Sequence, residues 1–243
     1  MSARSDEPTG TRLLIVGHGR MGRLVESLAP EFDCQVVGVL DEAENAAGAG
    51  LTDLVARQAD VAVDFTTPDA VRHNVGRYAA LKLNAVVGTT GWTSDRSALR
   101  EQAERAGIGV VAAANFSIGA VLFEAIATDA ARRLAARAEF GAFLHETHHD
   151  KKIDAPSGTA LSVKAAMEAA GYSKKIDVAS SRVGFVPGIH TVGFDGPSET
   201  ITLTHSVRDR GTFARGALLA ATWVKGKRGW FTMRDVLGLT NDE

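Results

Sequence analysis

The sequence predicts an α/β protein: a doubly wound parallel sheet in the first half, then an α+β domain with an open mixed sheet. Three observations carry that prediction. Short apolar runs alternate with helix-like stretches through the first half, and a glycine-rich turn, GHGRMG, follows the first run. A strictly alternating stretch, SETITLTHSV, appears only in the second half.

The apolar runs are RLLIV (12–16), QVVGVL (35–40), VAVDF (61–65), AVVG (85–88) and IGVVAAA (108–114). Each is continuous rather than alternating, which suits strands buried on both faces of a parallel sheet. Between them, helical spacing is clearest at 69–81 and 94–106. Val71, Val75, Tyr78 and Ala79 fall on one helical face behind Pro68 and Asp69, which serve as a start signal. Alternation of this kind reads as doubly wound α/β.

Within that frame, Gly17, Gly19 and Gly22 form G-x-G-x-x-G directly after a strand and at the opening of a helix. Asp41 closes the second strand nineteen positions after Gly22, where an acid that accepts from a ribose hydroxyl should fall. Glycine lets the backbone approach a pyrophosphate, whose charge meets the N–H groups of a helix N-terminus. A Rossmann-like dinucleotide site is expected, against the plainer reading of a tight strand–helix turn. The turns after the next strands, DFTTP (64–68), GTTGW (88–92) and AANFS (113–117), carry small and hydroxylated residues that permit close approach of a nucleotide. Ordinary turn chemistry would use the same residues.

After Asn115 the pattern changes. Residues 118–136 read as one long helix and 138–146 as a strand. In 198–207, Ile201, Leu203, His205 and Val207 share one face, with threonines and serine on the other. Asp195-Gly196 supplies the turn of a hairpin. A two-domain enzyme with a cleft follows. The terminal FTMRDVLGL is apolar enough to dock.

Composition narrows the function classes. The chain has 243 residues, 45% hydrophobic and 23% charged, with a formal net charge of −2, so neither nucleic acid nor an anionic membrane is an expected partner. One cysteine, Cys34, rules out an intramolecular disulfide and suits a reducing cytoplasm. No apolar run approaches the roughly 20 residues of a membrane span, and the polar N-terminus lacks a signal-peptide core.

The stretch HETHHDKKIDAPSGTA (145–160) concentrates the chemistry. His145, Glu146 and His149 match the zinc-protease pattern H-E-x-x-H, which needs a helix to bring both imidazoles to one metal about 6 Å apart. On a strand, positions four apart lie about 13 Å apart. With a strand at 138–146 and no third ligand at suitable spacing, no metal is expected. Pro156 and Ser157 then start a helix with Gly158 and Thr159 in its first turn. Cationic proton donors (His148, His149, Lys152) beside a helix N-terminus suggest a carboxylate substrate whose reaction needs an acid.

ETHHDKKIDAPSGTA closely resembles the signature of 4-hydroxy-tetrahydrodipicolinate reductases, also called dihydrodipicolinate reductases. GHGRMG, DFTTP, VVGTTGW, AAANFSIG, VPGIHTVGF, FARGA and MRDVLGL resemble family segments in family order, over nearly the whole chain. The resemblance implies NADH- and/or NADPH-dependent reduction of a cyclic imine dicarboxylate in diaminopimelate and lysine biosynthesis, without metal, in a cytoplasmic homotetramer. By position it implies His148 as proton donor and Lys152 as second catalytic residue, with His149, Ser157, Gly158, Thr159 and Arg210 at the substrate. For the nucleotide it implies Gly17, His18, Gly19, Arg20, Met21, Gly22, Asp41, Phe65, Gly88, Thr89, Thr90, Ala113, Ala114, Asn115 and Phe116. It further implies a nucleotide-binding domain over 1–116, a substrate and assembly domain over 117–216, and a C-terminal segment from about 217 to 243 returning to the first. The chain departs from some family members in its short glycine loop, in a shorter second domain, and in Glu42, which stands where they carry an arginine.

Overall fold

The computed structural model describes Gly10–Leu239. Strand β1 (Thr11–Val16) carries Leu13, Leu14, Ile15 and Val16, all with no solvent exposure. Burial on both faces explains why the run is continuous, and each such side chain contributes about 1.5–3 kcal/mol. The chain continues through α1 (Arg20–Leu28), β2 (Cys34–Leu40), a one-turn α2 (Asp53–Ala56), β3 (Val61–Asp64), α3 (Pro68–Leu81), β4 (Asn84–Val87), α4 (Arg96–Ala106) and β5 (Gly109–Ala112).

Helix α3 begins one residue earlier than its periodicity predicts. Thr67 is its N-cap, with the hydroxyl accepting from Ala70 N, and Pro68 takes the first helical position, where no N–H is needed. Strand β5 is shorter than the apolar run 108–114, because the chain turns away after Ala112.

The second half contributes α5 (Ile118–Leu134), β6 (Gly141–His148), α6 (Gly158–Ala169), β7 (Ile176–Arg182), β8 (Ile189–Asp195), β9 (Thr200–Ser206), α7 (Gly211–Val224), β10 (Gly229–Phe231) and α8 (Met233–Val236). The chain divides into two compact units, one of residues up to Phe116 together with those from Phe213, the other Ser117–Thr212.

In the first unit six parallel strands run in the order β10-β5-β4-β3-β1-β2. The order reverses at β1, which lies between β2 and β3, and such a switch point leaves a crevice at the carboxyl ends of the strands. The apolar terminal stretch begins at Phe231, the last residue of β10, which pairs with β5, and supplies α8, which opens with a capping box between Thr232 and Asp235.

In the second unit the sheet order is β7-β6-β8-β9. β6 pairs parallel with β7, while β6–β8 and β8–β9 are antiparallel, so the sheet is mixed. The hairpin joining β8 to β9 closes with Gly196 N donating to Glu199 O at 2.8 Å. Gly141 opens β6 rather than interrupting it, so the strand runs on to His148, two residues beyond the predicted end. Phe123, Ala127 and Ala131 of α5 and Ala160, Val163 and Met167 of α6 bury one face of this sheet against Ala142, Leu144, Val192 and Phe194. Among the described residues, no helix is long and apolar enough to cross a membrane.

Candidate active site

At the end of β1 the three glycines of the turn meet three different demands. Gly17 has φ +91°, and a Cβ there would lie 2.5 Å from the Phe65 carbonyl oxygen, so only glycine fits. A Cβ on Gly22 would lie 2.1 Å from the Gly17 oxygen, which fixes the close packing of α1 on the turn. Gly19 is exposed, and a Cβ there would meet nothing within 4 Å. That space lies at the N-terminus of α1, where Gly19 is the N-cap and supplies no side-chain hydrogen bond. Tight turn, open approach and helix packing are the three duties of a dinucleotide-binding glycine loop. The residues present fit such a ligand.

The other predicted nucleotide residues of this unit sit around the same end of the sheet. His18 turns to Glu26 at 2.7 Å, Arg20 is exposed and Met21 is half-buried. The Phe65 and Phe116 rings meet edge to face at 6.1 Å, and Gly88 leaves room for Phe65, whose ring a Cβ would approach to 2.1 Å. Thr89, Thr90, Ala113 and Ala114 line a small cavity with Trp92 and Arg96, and Asn115 follows directly in the chain. Asp41 uses one oxygen within its own turn: Oδ1 accepts from Ala43 N and Glu44 N, each at 2.9 Å.

One residue here escapes a motif-based reading. Asp64 is fully buried beneath the DFTT turn. It accepts from Thr66 N and Oγ1 (3.1 and 2.6 Å), Asn74 Nδ2 (2.9 Å) and the Tyr78 hydroxyl (2.8 Å). Burial pushes its carboxyl up, opposed by those hydrogen bonds. The network holds the turn that carries Phe65 and Thr66.

In the second unit the period of β6 builds the site. Ala142, Leu144, Glu146 and His148 share the buried face, so the strand's apolar core passes into a polar layer at its end. Cross-strand register completes that layer. Glu146 stands opposite His190 of β8, and His148 opposite Arg182 of β7. Glu146 is fully buried, and its Oε2 accepts from His148 Nδ1. Its Oε1 accepts from Arg182 Nη2 at 2.8 Å and from Ser157 N at 3.3 Å. Burial raises the Glu146 carboxyl, but hydrogen bonds from Arg182, Ser180 and His148 overcome this and hold it at about 2. For His148, burial lowers the imidazole, the Glu146 carboxylate opposes, and Lys152 and Arg182 add to the lowering. His190, buried and facing His148, is lowered to about 4.

The loop after β6 brings Lys152 back by a turn, with Lys152 N donating to His149 O at 3.1 Å. The Lys152 ammonium donates to Asp154 Oδ1 at 2.6 Å, and Asp154 Oδ2 accepts from Gly158 N at 3.3 Å. Ser157 is the N-cap of α6, its hydroxyl accepting from Ala160 N and meeting His190 Nε2 at 3.1 Å. Gly158 is the first helical residue, and a Cβ there would meet nothing within 4 Å. Ser157, Gly158 and Thr159 open α6, Glu146 ties His148 to that turn through Ser157 N, Asp154 ties Lys152 to it through Gly158 N, and His149 follows β6 half-buried. Arg210 lies apart from that turn in sequence, exposed between β9 and α7.

The zinc-protease pattern dissolves in this geometry. His145 and His149 are on a strand and its continuation, and His145 faces away from the polar layer, exposed and 3.0 Å from Ser181 Oγ. The donors that do come together are a different set from the His145 and His149 pair. Glu146, His148 and His190 place their donor atoms within 4.8 Å of one another. His190 comes from another strand, 44 positions beyond Glu146, so ligand spacing along the chain could not reveal it.

Comparison with known proteins decides the family. Residues 11–116 match the family described as dihydrodipicolinate reductase, N-terminus, and residues 119–237 match dihydrodipicolinate reductase, C-terminus. The chain belongs to the dihydrodipicolinate reductase family. This reductase is similar to the 4-hydroxy-tetrahydrodipicolinate reductase of Rhodopseudomonas palustris, 40% identical over 271 residues covering 94% of this chain and 97% of that protein. It is 32% identical to the 4-hydroxy-tetrahydrodipicolinate reductase of Christiangramia forsetii over 237 residues, 93% of this chain and 97% of that one. Among solved structures it resembles the dipicolinate-bound dihydrodipicolinate reductase from Paenisporosarcina sp. TG-14, with TM-score 0.80 and 25% identity, covering 92% of this chain and 98% of that one. The family's reductases use NAD(P)H, which agrees with the glycine loop.

Proposed function

We propose that the polar layer of the second unit is the acid half of a reductase site, with His148 as proton donor and Lys152 as its catalytic partner. The activity is that of the family: the chain is an oxidoreductase, a 4-hydroxy-tetrahydrodipicolinate reductase of lysine biosynthesis. The observation that carries the residue assignment is the convergence of two proton donors on the open first turn of α6.

The bound reduced nicotinamide nucleotide supplies the hydride, and everything else is asked of the chain. Gly17, Gly19 and Gly22, with the N-terminus of α1, would hold its pyrophosphate, and Asp41 its adenosine ribose. His18, Arg20, Met21, Phe65, Gly88, Thr89, Thr90 and Ala113 to Phe116 would shape the rest of that pocket. His149, Ser157, Gly158, Thr159 and Arg210 would hold the substrate carboxylates, as cation and helix-terminus partners of an anion. His148 Nε2, the ring nitrogen that Glu146 leaves uncommitted, would deliver the proton to substrate carbon or nitrogen, with Lys152 supplying positive charge beside it. Fixing both partners is worth on the order of 7–11 kcal/mol when orientation is good.

The reaction needs no metal in this reading. A cation placed among Glu146, His148 and His190 would face the Arg182 guanidinium, already 2.8 Å from Glu146, as well as the Lys152 ammonium. Assembly as a homotetramer would use the second face of the mixed sheet, which carries Phe143, His145, Thr191, Thr202 and Thr204 half-buried or exposed.

The test is loss of NADH or NADPH absorbance on adding enzymatically generated 4-hydroxy-tetrahydrodipicolinate, before and after exhaustive chelation. Equal rates are expected. An inert enzyme overturns the function, while stoichiometric zinc whose removal abolishes the rate overturns the metal-free mechanism.

A further inference from the structure

We propose that Glu146 and Arg182 form a positioning pair, in which Glu146 sets the ring of the proton donor and Arg182 sets the loop that carries Lys152. This rests on the reading of His148 and Lys152 as the acid residues, and it assigns a duty to two residues whose polar groups turn to the protein.

Both carboxylate oxygens of Glu146 and all three guanidinium nitrogens of Arg182 have an internal partner. One oxygen of the buried Glu146 carboxylate takes the His148 Nδ1 proton, and the other takes Arg182 and Ser157 N. A ring that donates through Nδ1 presents Nε2 on its far side. There the chain has Gly188, where a Cβ would stand 3.0 Å from Nε2, so a glycine keeps that side clear. Arg182 spends three further N–H groups on backbone: Nε on Lys152 O at 3.3 Å, Nη2 also on Asp154 O at 2.5 Å, and Nη1 on Ser181 O at 2.7 Å. Four of the five guanidinium N–H groups thus point to protein acceptors, so the group is spent mainly on the fold. A planar fork that ties one buried carboxylate to two carbonyls of a loop is a geometric clamp, which lysine could not reproduce.

The pair also balances charge. The groups facing His148 are Glu146 on its own strand, Arg182 on β7, His190 on β8 and Lys152 from the loop. The carboxylate favours the imidazolium that a proton donor must be, and the two cations oppose it. Removing one member of the pair should therefore move the donor's titration one way, and removing the other should move it the opposite way. A scaffold role would not produce opposite signs.

Two variants and one measurement on the wild type test this. In Glu146→Gln, kcat should fall about 10- to 100-fold, the scale for losing an outer-shell orienting group, with KM for the substrate within about twofold. Its decline of kcat with rising pH should move to lower pH. In Arg182→Gln the decline should move to higher pH, and kcat should also fall because the Lys152 loop is released. Should either variant fail to fold, ¹⁵N shifts of histidine-labelled wild type, with His148 assigned by His148→Gln, read the tautomer directly. Protonated Nδ1 in the neutral ring supports the proposal and protonated Nε2 overturns it. An active wild type whose kcat and pH profile survive Glu146→Gln unchanged overturns the positioning role alone. A wild type that does not oxidise NAD(P)H with the substrate overturns the function, and the proposal with it.

Discussion

At the carboxyl end of β1 the chain makes room by omitting side chains, whereas at the carboxyl end of β6 it fills the space with buried charge. Gly17, Gly19 and Gly22 shape a turn that offers a ligand backbone N–H groups and empty volume. Glu146, His148, Arg182 and His190 make a layer in which the carboxylate and the guanidinium are bonded within the protein, while His148 Nε2 and the buried His190 Nδ1 are not. A backbone site tolerates a ligand without reorganising charge. A charged layer must be compensated within the protein before any ligand arrives, since a buried ion without a partner is costly. The difference suits the division of labour between holding a large nucleotide and timing a proton transfer.

The largest effects should come from the charged layer. Lys152→Ala should lower kcat by about 10²-fold or more, the usual scale for a positioned acid and close to 2.7 kcal/mol of barrier. His149→Ala should instead raise KM for the substrate with a smaller change in kcat, because uniform binding appears in KM. Steady-state kinetics on both variants decide it, and wild-type turnover in Lys152→Ala would remove lysine from the chemistry.

The glycine turn should answer more mildly and in two separable ways. Gly22→Ala places a Cβ 2.1 Å from the Gly17 oxygen and should cost stability on the scale of overpacking, about 1–3 kcal/mol. Gly19→Ala meets no atom within 4 Å and keeps an ordinary φ of −78°, so its melting temperature should stay near wild type. Its KM for the nucleotide should rise several-fold, because the methyl group enters the space reserved for pyrophosphate. Thermal melts and nucleotide titrations of both variants sharpen the contrast. A Gly19→Ala that melts earlier than Gly22→Ala would mean that the open position is structural.

The same contrast explains what the sequence disclosed. The glycine loop is local: three residues within six positions follow an apolar run, so the doubly wound sheet and its turn can be read in order. The first turn of α6 is local too, with Ser157 and Gly158 adjacent to the histidines and lysine. The polar layer is not. His190 and Arg182 reach Glu146 and His148 only through the register of three strands, which a linear reading does not supply. One signal was present in the alternation Ala142, Leu144, Glu146, His148, which puts the acid of the motif and His148, a histidine outside it, on a core face. The H-E-x-x-H spacing drew attention to His145 instead, the histidine that points the other way. Asp64 was hidden for a related reason, since its partners Asn74 and Tyr78 lie about two and three turns into α3.

The smallest effect concerns the choice of nucleotide, where side-chain charge joins a site built mainly from backbone. Asp41 stands at the end of β2, where an acid accepts from the 2′- and 3′-hydroxyls of ribose and repels a 2′-phosphate. One of its oxygens is held by the N–H groups of Ala43 and Glu44, which fixes the carboxylate in place and leaves the other oxygen for a ligand. Glu42 adds a second negative charge at an exposed position, and Arg20, also exposed, is the cation of the glycine loop that would answer a 2′-phosphate. Close like-charge contacts cost on the order of 1 kcal/mol each in high dielectric. Two carboxylates against one mobile arginine therefore tip the balance towards the diol, by no more than about one decade, since 1.4 kcal/mol is tenfold. NADH should be used at least as well as NADPH, with kcat/KM differing by about tenfold or less. Measuring kcat/KM with each nucleotide at fixed ionic strength decides the matter. A clear preference for NADPH would show that Arg20 governs the pocket, and that this end of the first unit also works through side-chain charge rather than backbone alone.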